Sequence, residues 1–497
     1  MNREGWKARL RMVATRLEAA RAAAFAAVVV ALVVAPGCSG ESSSELALEA
    51  CTVDGAPARC GTVMVPEDRS GDGGRQLPVR VVVFPATGSD RQLDPVVWFA
   101  GGPGDSAVDS IGRVRPLLAP NNTNRDLVFI EQRGTGASAM TCPAFPDSSD
   151  PAALRSAVES CVDSLQGDPR FYTTSLFADD VDQVLAELDY AQANLVGISY
   201  GTTAEQVYLA RYPDRVRTMT LLSGTLLDVP VLERFPESAQ TAIDNVFAEC
   251  ERDDACQQAF PQLRADWDAM WASMNAAPWV VPAERSPDGT EHVFDADWLA
   301  SGLHDLLFVA TTHSRIPLLV HTRGAADDKV DPLLDIAQAY PDTTDAGSGD
   351  EQMLRYLIRC NEEWARYEPG QLAGIDSFEY AHVRNDAEWW QSVCAFIPDA
   401  SDNAAMAVPS SDVPVLALNG ESDPQDPAAN MASANAVWPN SLALVVPGQG
   451  HDVDPASAAC IIPLIQAFID QGDVTDLDTT CLSQLPPPAF DLTLPST

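Results

Sequence analysis

Asn194-Leu195-Val196-Gly197-Ile198-Ser199-Tyr200-Gly201-Thr202-Thr203 is the stretch from which the architecture of this chain can be read. Residues 194–196 form a short run that suits a buried strand, and a helical pattern follows over 203–212, ending before Pro213. Between them, Ser199 has a glycine two positions to either side. A hydroxyl on so sharp a strand-to-helix turn needs small neighbours, because the backbone there folds back on itself. Taken alone, the five residues 197–201 also suit a tight turn with a structural serine. The flanking strand and helix favour a nucleophile.

Outward from this turn, further apolar runs rich in β-branched residues lie at 79–84, 96–99, 127–130, 219–222, 413–418 and 442–446. Such continuous runs mark strands buried on both faces. A helical pattern at 180–188 precedes the 194–196 strand. Strand and helix in alternation predict an α/β fold, a mostly parallel sheet with helices on both faces. The alternation breaks over 229–409, which holds seven of the ten tryptophans, from Trp267 to Trp390. A largely helical cap is expected there, placed over the carboxyl edge of the sheet where such folds bind ligands. Core segments are then 47–228 and 410–497, and Pro486-Pro487-Pro488 reads as an extended tail.

The amino-terminal segment reads as a targeting signal. Lys7, Arg9, Arg11, Arg16 and Arg21 precede an apolar run at 22–34, too short to span a bilayer comfortably. Residues 1–37 are therefore expected to be a signal peptide, with Ala35-Pro36-Gly37-Cys38 similar to a bacterial lipobox, Cys38 as lipidation site and 38–46 as a polar tether. Ordinary signal cleavage nearby is the alternative. Of 11 cysteines, setting Cys38 aside leaves ten. They fall along the chain as neighbours: Cys51 with Cys60, Cys142 with Cys161, Cys250 with Cys256, Cys360 with Cys394, and Cys460 with Cys481. Sequential disulfides suit an oxidising compartment, so an exported protein is expected, either membrane-anchored or secreted or periplasmic. With no Cys-x-x-Cys pair and six histidines, no metal site is expected. The net charge of −40 disfavours nucleic acid and anionic lipid surfaces as partners. Membrane contact is expected only through the anchor, and the molecule is expected to be a monomer.

A second glycine-rich loop, Gly101-Gly102-Pro103-Gly104, directly follows the 96–99 strand. Glycines let backbone amides approach a substrate oxygen closely. In the α/β-hydrolase layout one oxyanion donor comes from this loop and the other from the residue after the nucleophile. Gly102 and Tyr200 are assigned, with Gly101 as the alternative to Gly102. His292, His304, His313, His321 and His382 all fall within the cap interval, so His451, after the last strand, is the candidate base. The chain order nucleophile, acid, base calls for an acid between them. Asp423 stands close after the 413–418 strand, and Asp426 could substitute.

These motifs resemble the α/β-hydrolase peptidases that include proline iminopeptidases and the exported tripeptidyl aminopeptidases of actinobacteria. The resemblance rests on Gly101-Gly102-Pro103-Gly104, on Glu131-Gln132-Arg133-Gly134-Thr135-Gly136 and on Gly197-Ile198-Ser199-Tyr200-Gly201-Thr202. It covers 60–212 and then 413–481, the second part looking like the tripeptidyl-type C-terminal domain. Ala100, Glu131 and Ile198 depart from the residues usual in that family, His, Asp and Gly. None touches the triad, but they put proline specificity in doubt, and Glu131-Gln132-Arg133 reads as a structural turn. The resemblance implies an exported serine hydrolase, an aminopeptidase releasing short N-terminal peptides without metal or organic cofactor. A carboxylesterase with the same triad is the alternative, and a non-catalytic surface binding protein is a third. It also implies that Glu362 or Glu363, in Cys360-Asn361-Glu362-Glu363-Trp364, holds the substrate's amine. An exposed acidic pair beside a disulfide is the plainer account of those two residues.

Overall fold

The computed structural model describes residues 48–71, 74–142, 151–283, 289, 291–324, 349–367, 390–400 and 406–493. Cys38, the leader and the tether lie outside these residues, as do His382 and Trp389. The described strands are β1 (Glu49–Val53), β2 (Ala56–Pro66), β3 (Gln76–Phe84), β4 (Val96–Phe99), β5 (Leu127–Ile130), β6 (Ala193–Ile198), β7 (Val216–Leu222), β8 (Trp279–Val281), β9 (His292–Phe294), β10 (Val415–Gly420) and β11 (Ser441–Val446). Strands β8 and β9 pair as a separate hairpin, and the other nine form one sheet in the order β1-β2-β3-β5-β4-β6-β7-β10-β11. From β5 through β4, β6, β7 and β10 to β11 every pairing is parallel. Strands β1 to β3 add an antiparallel flank.

Both faces of the parallel part are covered, which is why its strands read as unbroken apolar runs. In β4, Val97 and Phe99 join one core while Val96 and Trp98 join the other. The described helices are α1 (Ile111–Leu118), α2 (Pro151–Ser164), α3 (Thr174–Glu187), α4 (Tyr200–Arg211), α5 (Val231–Arg252), α6 (Leu263–Ala276), α7 (Ala296–Leu307), α8 (Ile316–Gly324), α9 (Gly349–Ile358) and α10 (Pro455–Gln471), with shorter turns between. Phe177 and Val181 of α3 and Val207 and Tyr208 of α4 share a core with Val97 and Phe99. Ile111 and Leu118 of α1 and Ile461 and Phe468 of α10 share the other with Val96 and Trp98.

Helix α3 starts at Thr174, six residues before the expected 180, because the Thr173 side chain caps it by accepting from Leu176 N at 3.3 Å. Strands β1 and β2 were not expected. Their signal is alternation rather than an apolar run: Val63 and Val65 are buried while Met64 between them is half exposed.

The interval 229–409 is not uniform. Helices α5 to α8 build a core of their own around Phe247, Trp267 and Trp271, with ring centroids 5.4 Å and 5.5 Å apart in edge contacts. This part is helical as expected, except for the β8–β9 hairpin. Helix α9 behaves differently: Met353, Leu354 and Leu357 pack into the core of the main sheet. The carboxyl end is not a free tail. Phe490 packs against the cap core, Asp491 N donates to Ser314 O at 3.3 Å, and Asp491 pairs with Arg315 at 3.2 Å. Five disulfides join Cys51–Cys60, Cys142–Cys161, Cys250–Cys256, Cys360–Cys394 and Cys460–Cys481, the sequential pairing.

Candidate active site

Ser199 stands between β6 and α4 with φ +55° and ψ −126°, a left-side conformation that a non-glycine residue rarely holds. Its N–H donates to Leu222 O at 3.0 Å, and its carbonyl accepts from Thr202 N at 2.9 Å and Thr202 Oγ1 at 2.7 Å. The flanking glycines are demanded by close approach. A Cβ on Gly201 would lie 2.2 Å from Phe99 O, and one on Gly197 would lie 2.8 Å from Gly201 C.

The other two triad candidates follow the neighbouring strands on the same edge, Asp423 after β10 and His451 after β11. His451 Nδ1 lies 3.0 Å from both Asp423 oxygens and 3.8 Å from Asp426 Oδ2. Asp423 Oδ1 also accepts from Gln425 N at 2.9 Å and Asp426 N at 2.8 Å. Asp426 accepts from Thr225 Oγ1 at 2.6 Å and Gln425 Nε2 at 3.1 Å. The two loops can meet because both carry glycine: a Cβ on Gly420 would lie 2.0 Å from Gly450 O. Phe308, from the cap, rests on the imidazole with ring centroids 4.6 Å apart.

Electrostatics separates the two carboxylates. Burial pushes Asp423 toward the neutral acid, but the His451 charge, its hydrogen bond and the two amides outweigh this and hold Asp423 below its ordinary range. Asp426, buried beside that carboxylate and farther from the imidazole, is pushed up to about 6. Burial disfavours the imidazolium, yet Asp423 first and Asp426 second raise His451 to about 9. The geometry thus favours Asp423 as the partner that orients the ring.

Gly102 has φ +107° and leads into a cis peptide at Pro103. It lines the same cavity as Ser199 and Tyr200. Tyr200 is the first residue of α4, so its amide has no acceptor within the helix. Gly101, the alternative donor, also lies close: a Cβ on it would be 3.5 Å from Ser199 Cβ. Glu131 ties this region down by accepting from Ser106 Oγ at 2.7 Å, Val108 N at 3.0 Å and Thr135 Oγ1 at 2.6 Å. Gln132 Nε2 donates to Tyr200 Oη at 3.0 Å. Arg133 forms a fully buried two-pronged pair with Asp180, both contacts at 2.7 Å. The expected structural role of 131–133 accounts for these contacts.

A cavity of about 370 Å³ opens on Ser199. Gly102, Tyr200, Gln425 and Asp426 line it from the sheet edge, Thr225 to Val231 from the loop after β7, and Arg359, Glu363, Arg366 and Tyr367 from the turns after α9. Those turns begin with a π-helical stretch, Arg359–Glu363, which separates two adjacent acids. Glu362 is buried away from the cavity, where its oxygens accept from Thr174 N at 2.6 Å and Thr174 Oγ1 at 2.5 Å. Of the two candidate amine anchors, only Glu363 is on the wall, 3.5 Å from Arg359. Glu362 is corrected to a strut between α3 and the turn.

Gln425, Arg359 and Arg366 were not among the expected site residues. Gln425 Nε2 lies 3.4 Å from Ser199 Oγ, as donor to it. Its position two residues after Asp423 was the available signal. The arginines have none, since nothing local marks them. Among the described residues, no group of three or more His, Cys, Asp or Glu could hold a metal ion.

A family model described as the alpha/beta hydrolase fold matches residues 94–266, and one described as TAP-like protein matches 381–481. Serine protease Hip1 of Mycobacterium tuberculosis is 23% identical over 466 residues, covering 85% of this chain and 87% of that protein. Carboxylesterase B of the same species is 33% identical over 187 residues, 37% of this chain, and the match spans only 33% of that protein. Tripeptidyl aminopeptidase of Streptomyces coelicolor is 31% identical over 188 residues, 33% of this chain and 35% of its own length. Among solved structures, proline iminopeptidase of Mycobacterium smegmatis matches at 15% identity and a TM-score of 0.36, covering 83% of this chain and 99% of that one. By the sheet, the nucleophile turn and the two family-model matches, the chain has the α/β-hydrolase fold and carries the candidate nucleophile, acid and base of a serine hydrolase.

Proposed function

We propose that this protein is an exported serine peptidase that releases a short N-terminal piece from peptides through an acyl-enzyme on Ser199. His451 accepts the Ser199 proton as the oxygen attacks the carbonyl carbon, then delivers it to the leaving amine. Asp423 holds the imidazole tautomer and stabilises the imidazolium. The Gly102 and Tyr200 amides receive the oxyanion. Water, deprotonated by His451, then attacks the acyl-enzyme, and the proton returns to Ser199 as the acid leaves.

One observation carries the preference for peptides: the cavity at Ser199 has a charged wall. Arg359, Glu363, Arg366 and Asp228 line it. Filling such a wall with a hydrocarbon acyl chain would desolvate charges without pairing them. A peptide can offer partners, and Glu363 is the carboxylate that would meet a free α-amine. The similarity to Hip1 and to tripeptidyl aminopeptidase supports the same reading. The similarity to carboxylesterase B supports a second, ester hydrolysis by the same triad. Paired cysteines and the amino-terminal signal support export, with Cys38 as the proposed lipid anchor and a monomer as the proposed state.

The test is hydrolysis of matched peptide amides and acyl esters by the purified mature protein. Turnover of peptide amides supports the proposal. Turnover confined to esters, rising with acyl chain length, replaces it with the esterase reading.

A further inference from the structure

Arg359 and Arg366 line the cavity that opens on Ser199, in a chain with 71 acidic residues against 31 basic. Neither guanidinium is fully matched. Arg359 stands over the Phe235 and Trp390 rings, 5.9 Å and 5.7 Å from their centroids. Its NH1 reaches Glu363 Oε2 at 3.5 Å, and its Nε is buried without an acceptor. Arg366 donates to the Leu227 carbonyl and has no ion-pair partner among the described residues. One turn before Arg359, the partly buried Arg355 also has an enclosed Nε with no acceptor.

The carboxylates nearby do not balance these charges. Asp426 is committed to Thr225, Gln425 and the imidazole, and Asp228 is exposed at the rim. Glu363 remains as one carboxylate beside two cavity-lining guanidiniums. Two guanidiniums at a cavity wall with one carboxylate beside them leave a positive charge that an anionic ligand group offsets. A guanidinium matches a carboxylate in geometry as well as charge, through paired N–H donors.

We propose that Arg359 and Arg366 form a subsite for a carboxylate on the acyl part of the substrate, so that the released piece contains an aspartate or glutamate. This rests on the peptidase reading above. Glu363 would take the α-amine, and the two guanidiniums the side-chain carboxylate. The net charge of −40 opposes capture of an acidic peptide at long range. That repulsion is screened beyond about 8–10 Å at physiological salt, whereas contacts inside the cavity are not.

The experiment compares kcat/KM for matched p-nitroanilides with one to three acyl residues. A single position is Glu, Gln or Lys, and each substrate has a p-nitrophenyl ester counterpart. At one position or more, Glu should exceed Gln by about tenfold, the usual weight of a charge-assisted hydrogen bond. Within each variant the Glu-to-Gln ratio is the readout, so a general loss of activity does not disturb it. In Arg366→Gln the ratio should fall to about twofold or less, and in Arg366→Glu the preference should pass to Lys. Equal or lower rates for Glu at every position in the wild type would overturn the subsite. So would a ratio that survives in both Arg359→Gln and Arg366→Gln. If the anilides are inert and the esters are cleaved, the peptidase reading fails, while the ester series still scores the subsite.

Discussion

Ser199, Asp423 and His451 follow the carboxyl ends of β6, β10 and β11, whereas Arg359, Glu363 and Arg366 ride on the turns after α9. In the first region the surroundings leave no freedom. Gly197, Gly201, Gly420 and Gly450 all sit where an added Cβ would come within 2.8 Å of a backbone atom. His451 is fixed by Asp423 on its ring, by Phe308 above it and by Ser223 Oγ donating to its carbonyl at 2.5 Å. In the second region the side chains hang from a π-helical stretch and the tight turn Trp364–Arg366 that follows it, tied by the Cys360–Cys394 disulfide and by Glu362 gripping Thr174. Their tips remain partly unmatched. The proposed chemistry therefore rests on the closely packed sheet edge, and the proposed choice of substrate on the insertion.

The largest effect should come from removing the nucleophile. Ser199→Ala should lower kcat by about four orders of magnitude or more and abolish fluorophosphonate labelling, while thermal unfolding stays close to wild type. Labelling that persists would move the nucleophile away from the sheet edge altogether.

Next in size is the contrast between the two carboxylates near the imidazole. Asp423→Asn should lower kcat by about 10³- to 10⁴-fold, since it disturbs the tautomer and the imidazolium. Asp426→Asn, farther from Nδ1, should lower it by less than about tenfold. Steady-state rates for the pair decide this, and the reverse order would make Asp426 the acid.

Smaller still is the expected effect on the insertion side. Acetylating the substrate amine should lower kcat/KM about 30-fold in the wild type, because the Glu363 carboxylate would then meet an uncharged amide in place of the ammonium. In Glu363→Gln the penalty should largely vanish. An acetylation penalty unchanged in that variant would place the amine anchor elsewhere on the wall.

The finest test is the pH profile. His451 acts as base only when neutral, and its folded value is raised from 6.5 to about 9. Activity should therefore climb with pH through the region near 9. Stability should move the other way, because the raised pKa stabilises the fold fully below about 6.5 and this contribution is lost as pH rises through about 9. Asp426→Asn removes one of the charges that raise it, so the limb of kcat/KM should move down by roughly half to one unit. An unmoved limb in Asp426→Asn would show that Asp423 alone sets the imidazole.

Local rules made much of the sheet edge readable. Val96, Val97, Trp98 and Phe99 lie on two faces that are both covered, so the strand announces itself as an apolar run. His451 stood out as the candidate base because it alone among the histidines follows the last strand, and chain order then pointed to Asp423 as the candidate acid. Strand β2 was missed because one of its faces is partly exposed and its sequence mixes Gly61 and Arg59 with the alternating valines. The docking of the extended tail was not legible because the partners of Asp491 are Ser314 and Arg315, far away in sequence.

The division has one physical reason. The sequence alone determined what depends on neighbours along the chain: the strand–turn–helix at Ser199, the small residues that let its backbone reverse, and the alternation that makes a doubly covered sheet. Tertiary structure alone decided what depends on neighbours in space. It turned Glu362 inward to Thr174 while Glu363 reached the cavity, although the two are adjacent in sequence. It brought Arg359 and Arg366 to the wall opened by Ser199, across a separation of at least 160 residues. No periodicity or spacing encodes a contact of that kind, because it arises only when the insertion has folded back on the sheet.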